Sequence, residues 1–167
     1  IIDSNRYFSQ LLPITVARLM QHARSECPAN KLYWMLISKG FRTYRYLPAF
    51  FNSFYPRYDR PTPLWETGLI NSLGRRKFAD RYDAHKGVVA PSGHSQSLKK
   101  EFTILSKAHQ TNPHVQFFLR ANPGFQLGEE LVCIARFDEQ NLKPYVLRRL
   151  NPATCNQPEV ELMSVCA

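Results

Sequence analysis

Residues Lys31–Ser38 read KLYWMLIS, and this stretch decides the fold class. It is a continuous apolar run with two aromatics, too short for an amphipathic helix and flanked by Asn30 on one side and Lys39-Gly40 on the other. That length and those flanks indicate a buried strand. Upstream, Leu12, Val16, Leu19, Met20 and Ala23 recur at helical spacing and mark one apolar helix face. Pro13 suits the first turn of that helix, where the missing N–H costs nothing, and Cys27-Pro28-Ala29-Asn30 ends it. Ile1-Ile2 reads as the end of an earlier strand, joined by the polar-aromatic connection Asp3–Gln10. A strand, a helix and a buried strand form a βαβ unit, which favours parallel pairing and a right-handed crossover. A chain opening on an apolar pair, without Met or a basic leader, reads as starting mid-strand, so further N-terminal sequence is expected.

Downstream, Ser38 is positioned to cap a short helix from Gly40 to Leu47, with Pro48 as its limit. Ala49–Tyr58 (AFFNSFYPRY) concentrates aromatics, and Asp59–Pro63 (DRPTP) reads as a rigid extended connection. A long helix follows, with Thr62 as its cap, Pro63 at its first position and Trp65, Leu69 and Leu73 as its inward stripe. Gly68 and Gly74 weaken that helix by about 1 kcal/mol each relative to Ala. Val88–Ala90 reads as a short strand, 91–97 (PSGHSQS) as a mobile loop and Leu98–Ala108 as a helix. Asn112-Pro113 caps another helix, with Val115, Phe118 and Leu119 inward and Asn122-Pro123-Gly124 as its stop. Glu130–Phe137 (ELVCIARF) reads as a strand, Leu142–Leu150 as a last helix and the tail from Asn151 as irregular. The expected architecture is mixed α/β: a βαβ half-domain over 1–60, a largely helical extension over 61–150 and a tail over 151–167.

With 44% hydrophobic residues and 21% charged residues, the chain has the composition of a globular domain rather than of a disordered segment. No run approaches the ~20 apolar residues of a membrane-spanning helix. Net charge is +9, but the positives are scattered as Arg42/Arg45, Arg75/Arg76/Lys77, Lys99/Lys100 and Arg148/Arg149, and no basic block forms. The pattern therefore favours a solvated basic surface, with a basic nucleic-acid-binding module as the weaker alternative reading. Cys27, Cys133, Cys155 and Cys166 show no C-x-x-C spacing and no partner histidines, which points to free thiols in a reducing, cytoplasmic setting and to no metal site. Neither H-E-x-x-H, nor G-x-S-x-G, nor a P-loop occurs.

The opening elements resemble the second half of a GNAT-superfamily acyltransferase fold. In that family a strand leads into a loop of the form R/Q-x-x-G-x-G/A, and the following helix N-terminus holds the pyrophosphate of acetyl-CoA through free backbone N–H groups and the helix dipole. The equivalent stretch here is Arg6-Tyr7-Phe8-Ser9-Gln10-Leu11, with Arg6 in the pattern and Ser9 and Leu11 replacing its small residues. The resemblance implies a site for acetyl-CoA or another acyl-CoA over Arg6–Leu11. It further implies a thiolate-protonating tyrosine on the helix after Lys31–Ser38, for which Tyr44 is the candidate, and a small-molecule amine as acceptor. Ser38–Pro56 also resembles part of a bacterial family carrying this same region. Phe50, Phe51, Phe54, Tyr55 and Tyr58 offer an apolar acyl or substrate pocket, or base stacking with Arg57 and Arg60 nearby. Against these stand plainer roles: helix capping for Arg6, Ser9 and Gln10, and aromatic packing for Tyr44 and for the aromatic cluster. The departures at Ser9 and Leu11 favour a non-catalytic binding scaffold, while the element order favours acyl transfer.

Overall fold

The computed structural model describes residues 18–19, 21–23, 25–26, 31–92, 98 and 100–150 of the 167-residue chain. The opening strand, the Arg6–Leu11 loop, most of the loop at 91–97 and the tail from Asn151 lie outside the described residues. The chain is mixed α/β. Four strands form one sheet: β1 (Tyr33–Ser38), β2 (Tyr82–Asp83), β3 (Val88–Val89) and β4 (Glu130–Arg136), in the order β1-β4-β3-β2. Every described pairing is antiparallel.

KLYWMLIS is a strand as expected, but its described neighbour is not a parallel partner from a βαβ unit. It pairs antiparallel with the other long apolar run, ELVCIAR, in a register that sets Tyr33 opposite Arg136 and Ser38 opposite Leu131. The two strands come from opposite sides of residue 60. β4 is the central strand. Its second edge takes β3 at Glu130 and Leu131 and the backbone of Tyr55 at Ile134, where N–H···O bonds of 2.9 and 2.8 Å run in both directions. Within β1 only Ser38 is fully buried, which corrects the expectation of a strand buried along its length.

Strand alternation divides the interior in two. Trp34, Leu36, Leu131, Cys133 and Ala135 face one side, together with α1 (Phe41–Tyr44), α2 (Tyr46–Phe50), α6 (Pro113–Ala121) and α7 (Pro144–Leu150). Tyr33, Met35, Ile37, Val132 and Ile134 face the other, under α3 (Leu64–Phe78). The short helices α4 (Lys100–Thr103) and α5 (Lys107–Gln110) lead into α6.

Several local expectations are corrected. The helix after β1 is two short pieces broken at Arg45, with Gly40 rather than Ser38 as N-cap; Pro48 sits within the first turn of α2, where its missing N–H is harmless. The expected helix over Leu98–Ala108 is likewise α4 and α5, the latter begun by a capping box between Ser106 and His109. Leu19, expected on an inward stripe, is 65% exposed.

In α3 the N-cap is Pro63 rather than Thr62, and Trp65 is 67% exposed. Leu69 and Leu73 pack inward as expected, and the buried positions beside them are Ile70 and Gly74, the latter against the ring of Tyr82. The hairpin of β2 and β3 carried no sequence signal for its first strand. It turns through Ala84–Gly87, where the Asp83 carboxylate accepts from the N–H groups of His85 and Lys86 and Gly87 takes φ +68°. The cap of α6 is as read: the Asn112 side chain accepts from His114 N and Val115 N, and Val115 and Phe118 are buried.

Candidate functional site

Tyr44 occupies the last turn of α1, and its side chain has no exposed surface. Its hydroxyl donates to the Pro56 carbonyl at 2.8 Å. Phe54, Phe117 and Phe118 surround the ring, with centroids 5.7 to 6.0 Å away. Burial, and after it the neighbouring Cys133 thiol, pushes the phenol pKa far above its ordinary value. A general acid must present its proton to a reacting atom; this proton is held by a backbone carbonyl inside the core. The structure thus places Tyr44 in aromatic packing. Arg6, Tyr7, Phe8, Ser9, Gln10 and Leu11 lie outside the described residues.

The aromatic run after α2 divides between roles. Phe51 and Phe54 are core. Tyr58 is 45% exposed and meets the His114 ring edge-on at 4.8 Å. Arg57 grips Asp59 through two nitrogens, donates to the Asn52 carbonyl at 3.0 Å and lies over the Phe54 ring. The Arg57 hydrogen bonds hold the Asp59 carboxyl below its ordinary pKa. Of the four cysteines Cys133 is described: it is buried and free, and burial pushes its thiol up to about 12. No group of three or more potential metal ligands forms among the described residues.

What the fold brings together is a different set. A cavity of about 220 Å³ opens on the α3 side of the sheet, lined by Tyr33, Ser53, Tyr55, Glu66, Arg136 and Asn141. Each is placed by a separate piece of the architecture. Tyr33 begins β1 and faces Arg136, which ends β4; as cross-strand partners they share one side of the sheet. Tyr55 is tied by its backbone to Ile134 on the other edge of β4. Glu66 sits in the first turn of α3, which covers this face. Ser53 is fixed by Asn141, whose side chain is committed completely: Oδ1 accepts from Ser53 N at 2.7 Å, and Nδ2 donates to Ser53 O at 2.8 Å and to Arg136 O at 2.7 Å. Arg136 Nε pairs with Asp138, whose carboxylate also accepts from Asn141 N at 2.8 Å.

The cavity groups themselves are less committed. Among the described residues the Tyr33 hydroxyl and the Glu66 carboxylate have no hydrogen-bond or ion-pair partner, and the Tyr55 hydroxyl meets only Ser53 Oγ at 3.4 Å. A smaller cavity of about 170 Å³ lies between α3 and the β2–β3 turn; there the Tyr82 hydroxyl already donates to Asn71 Oδ1 at 2.7 Å.

The sequence did offer one pointer to this site. In ELVCIARF, Arg136 has the parity of Val132 and Ile134 and so belongs to a core-facing side of β4. Tyr33 likewise shares the parity of Met35 and Ile37, whereas Glu66 carries no such signal. No family model, no curated protein and no solved structure matches the chain.

Proposed function

We propose that this chain carries a binding module for a small polar molecule, built on an acyltransferase-like scaffold, with its ligand seated in the Tyr33–Glu66–Arg136 cavity. The observation that carries this reading is the uncommitted hydrogen-bonding capacity of Tyr33, Tyr55 and Glu66 around one cavity whose walls are otherwise firmly tied. Specific small-molecule sites hold a few polar groups in place on rigid elements. The volume is below the roughly 300–1,000 Å³ of drug-sized pockets and so suits a ligand of few heavy atoms. Withdrawal of Tyr44 into the core supports a binding role over catalysis through that residue.

The test is a ligand-observed NMR screen of small amines, acids and polyols against the full chain, repeated on Ser53→Phe, which fills the cavity. One class should bind the parent and not the variant, with both melting cooperatively. Binding of no class, or equal binding by the folded variant, contradicts the reading.

One observation favours a second reading, acyl transfer from acyl-CoA to an amine. The outer edge of β1 has no strand beside it among the described residues, and in the acyltransferase resemblance that edge lines the thioester cleft. Calorimetry with CoA and acetyl-CoA tests it, with Arg6→Ala as control. Binding lost in the control supports a pyrophosphate site over Arg6–Leu11; no binding at millimolar cofactor removes the reading.

A further inference from the structure

The charges lining the cavity are unequal in their commitments. Arg136 is compensated within the protein, because its Nε pairs with Asp138 and Asp138 is itself held by the Asn141 N–H. Glu66 lines the same cavity, yet no ion pair joins it to Arg136 or to any other described cation. Glu66 stands in the first turn of α3, whose N-terminal end is equivalent to roughly half a positive charge. Of the two charged side chains lining the cavity, Glu66 is the one without an ion-pair partner among the described residues. Ser53, Tyr33 and Tyr55 line the same cavity, and each carries a hydroxyl oxygen able to accept a hydrogen bond.

We infer that the cavity recognises a small primary ammonium, with Glu66 as its counter-ion and the hydroxyls of Tyr33 and Tyr55 as acceptors for its remaining N–H groups. This rests on the ligand-binding reading above. An ammonium offers three donors and no acceptor, which matches a carboxylate beside hydroxyl oxygens. A carboxylate ligand would meet Glu66 as a like charge, and a neutral polyol would leave that charge unmatched. The overall charge of +9 does not decide the matter. Exposed charges are screened over about 8 Å at physiological salt, so the groups lining the cavity dominate there.

The test is calorimetry on the full chain at neutral pH and physiological salt. The probes are ethanolamine, ethylene glycol, glycolate and the N-trimethylated analogue of ethanolamine; the variant is Glu66→Gln. Ethanolamine should bind, glycol and glycolate should not, trimethylation should weaken binding, and Glu66→Gln should weaken ethanolamine by about tenfold or more, as expected for loss of a charge-assisted hydrogen bond. Unchanged melting of Glu66→Gln separates loss of the site from loss of the fold. Equal or tighter binding of glycol, glycolate or the trimethylated probe overturns the ammonium assignment and leaves the ligand-binding reading standing. Binding of none of the probes removes the ammonium assignment, and the wider screen with Ser53→Phe then judges the binding reading separately.

Discussion

Ser53 and Asn141 exchange two hydrogen bonds, Ser53 N to Asn141 Oδ1 at 2.7 Å and Asn141 Nδ2 to Ser53 O at 2.8 Å. Asn141 thereby acts as a surrogate strand, fastening the segment after α2 to the end of β4, where it also takes the Arg136 carbonyl. It is 6% exposed. Asn141→Ala leaves several buried backbone groups without partners, at about 1–3 kcal/mol each. Partial access of water reduces the total, so a loss of about 3 kcal/mol is expected in urea unfolding. Asn141→Asp keeps the acceptor but sets a carboxylate oxygen against the Ser53 and Arg136 carbonyls, so it should cost at least as much as Asn141→Ala. Ligand binding should weaken in both variants, since Ser53 and Arg136 are placed through Asn141.

Tyr44→Phe separates packing from chemistry. It removes one hydrogen bond, to Pro56 O, and keeps the ring among Phe54, Phe117 and Phe118. The expected cost is about 1 kcal/mol of stability, with cavity binding unchanged. Tyr44→Ala should cost about 3–5 kcal/mol, as for other large aromatic truncations in a core.

The two glycines of α3 should respond in opposite directions. At Gly68 an added Cβ meets nothing within 4 Å, so Gly68→Ala should raise stability by about 0.5–1 kcal/mol through helix propensity. At Gly74 the added Cβ would stand 2.6 Å from the Tyr82 ring. That ring is pinned by its hydroxyl on Asn71 and has little freedom to give way. Gly74→Ala should therefore destabilise by about 1–3 kcal/mol despite the better propensity. Paired thermal melts read both signs.

His114 should impose an acid limb on stability. Its ring lies between Phe54 and Tyr58, and its Nδ1 is buried without a hydrogen-bond partner among the described residues. Burial, and after it the Arg57 charge, lowers its pKa; Asp59 pulls the other way and Arg45 adds to the lowering. The unfolded chain, with an ordinary histidine pKa near about 6.5, then takes up the proton first. The contribution is complete above about pH 6.5 and is lost as the pH falls from there towards the folded-state value. His109 is lowered too, by burial and by Arg45 and Arg42. Melting temperatures of His114→Phe and His109→Gln between pH 7 and pH 5 apportion the effect. His114→Phe should flatten the decline.

The strands legible from sequence were those whose apolar runs need no partner to be recognised, KLYWMLIS and ELVCIAR, and the Asn112 cap is a local signal that survived folding intact. The β1–β4 pairing was not legible, and the expected pairing of β1 with Ile1-Ile2 lies outside the described residues. The βαβ pattern uses neighbours in sequence, whereas β1 found its described partner at the far end of the chain. The two-residue strands β2 and β3 are too short to show alternation. In α3, Leu69 and Leu73 pack against the core as expected, whereas Trp65 is exposed and the most buried positions are Ile70 and Gly74, beside Tyr82, a residue outside the helix. The cavity was hidden for the same reason: Tyr33, Ser53, Glu66 and Arg136 meet only through the sheet register and the Asn141 tie.

Backbone amide shift mapping during titration of the full chain with ethanolamine tests the central claim most directly. The account predicts saturable shifts centred on residues 33, 53, 55, 66, 136 and 141, with the amides of Tyr44 and its aromatic neighbours little changed. Shifts centred on another surface, or none up to saturating ligand, would contradict it.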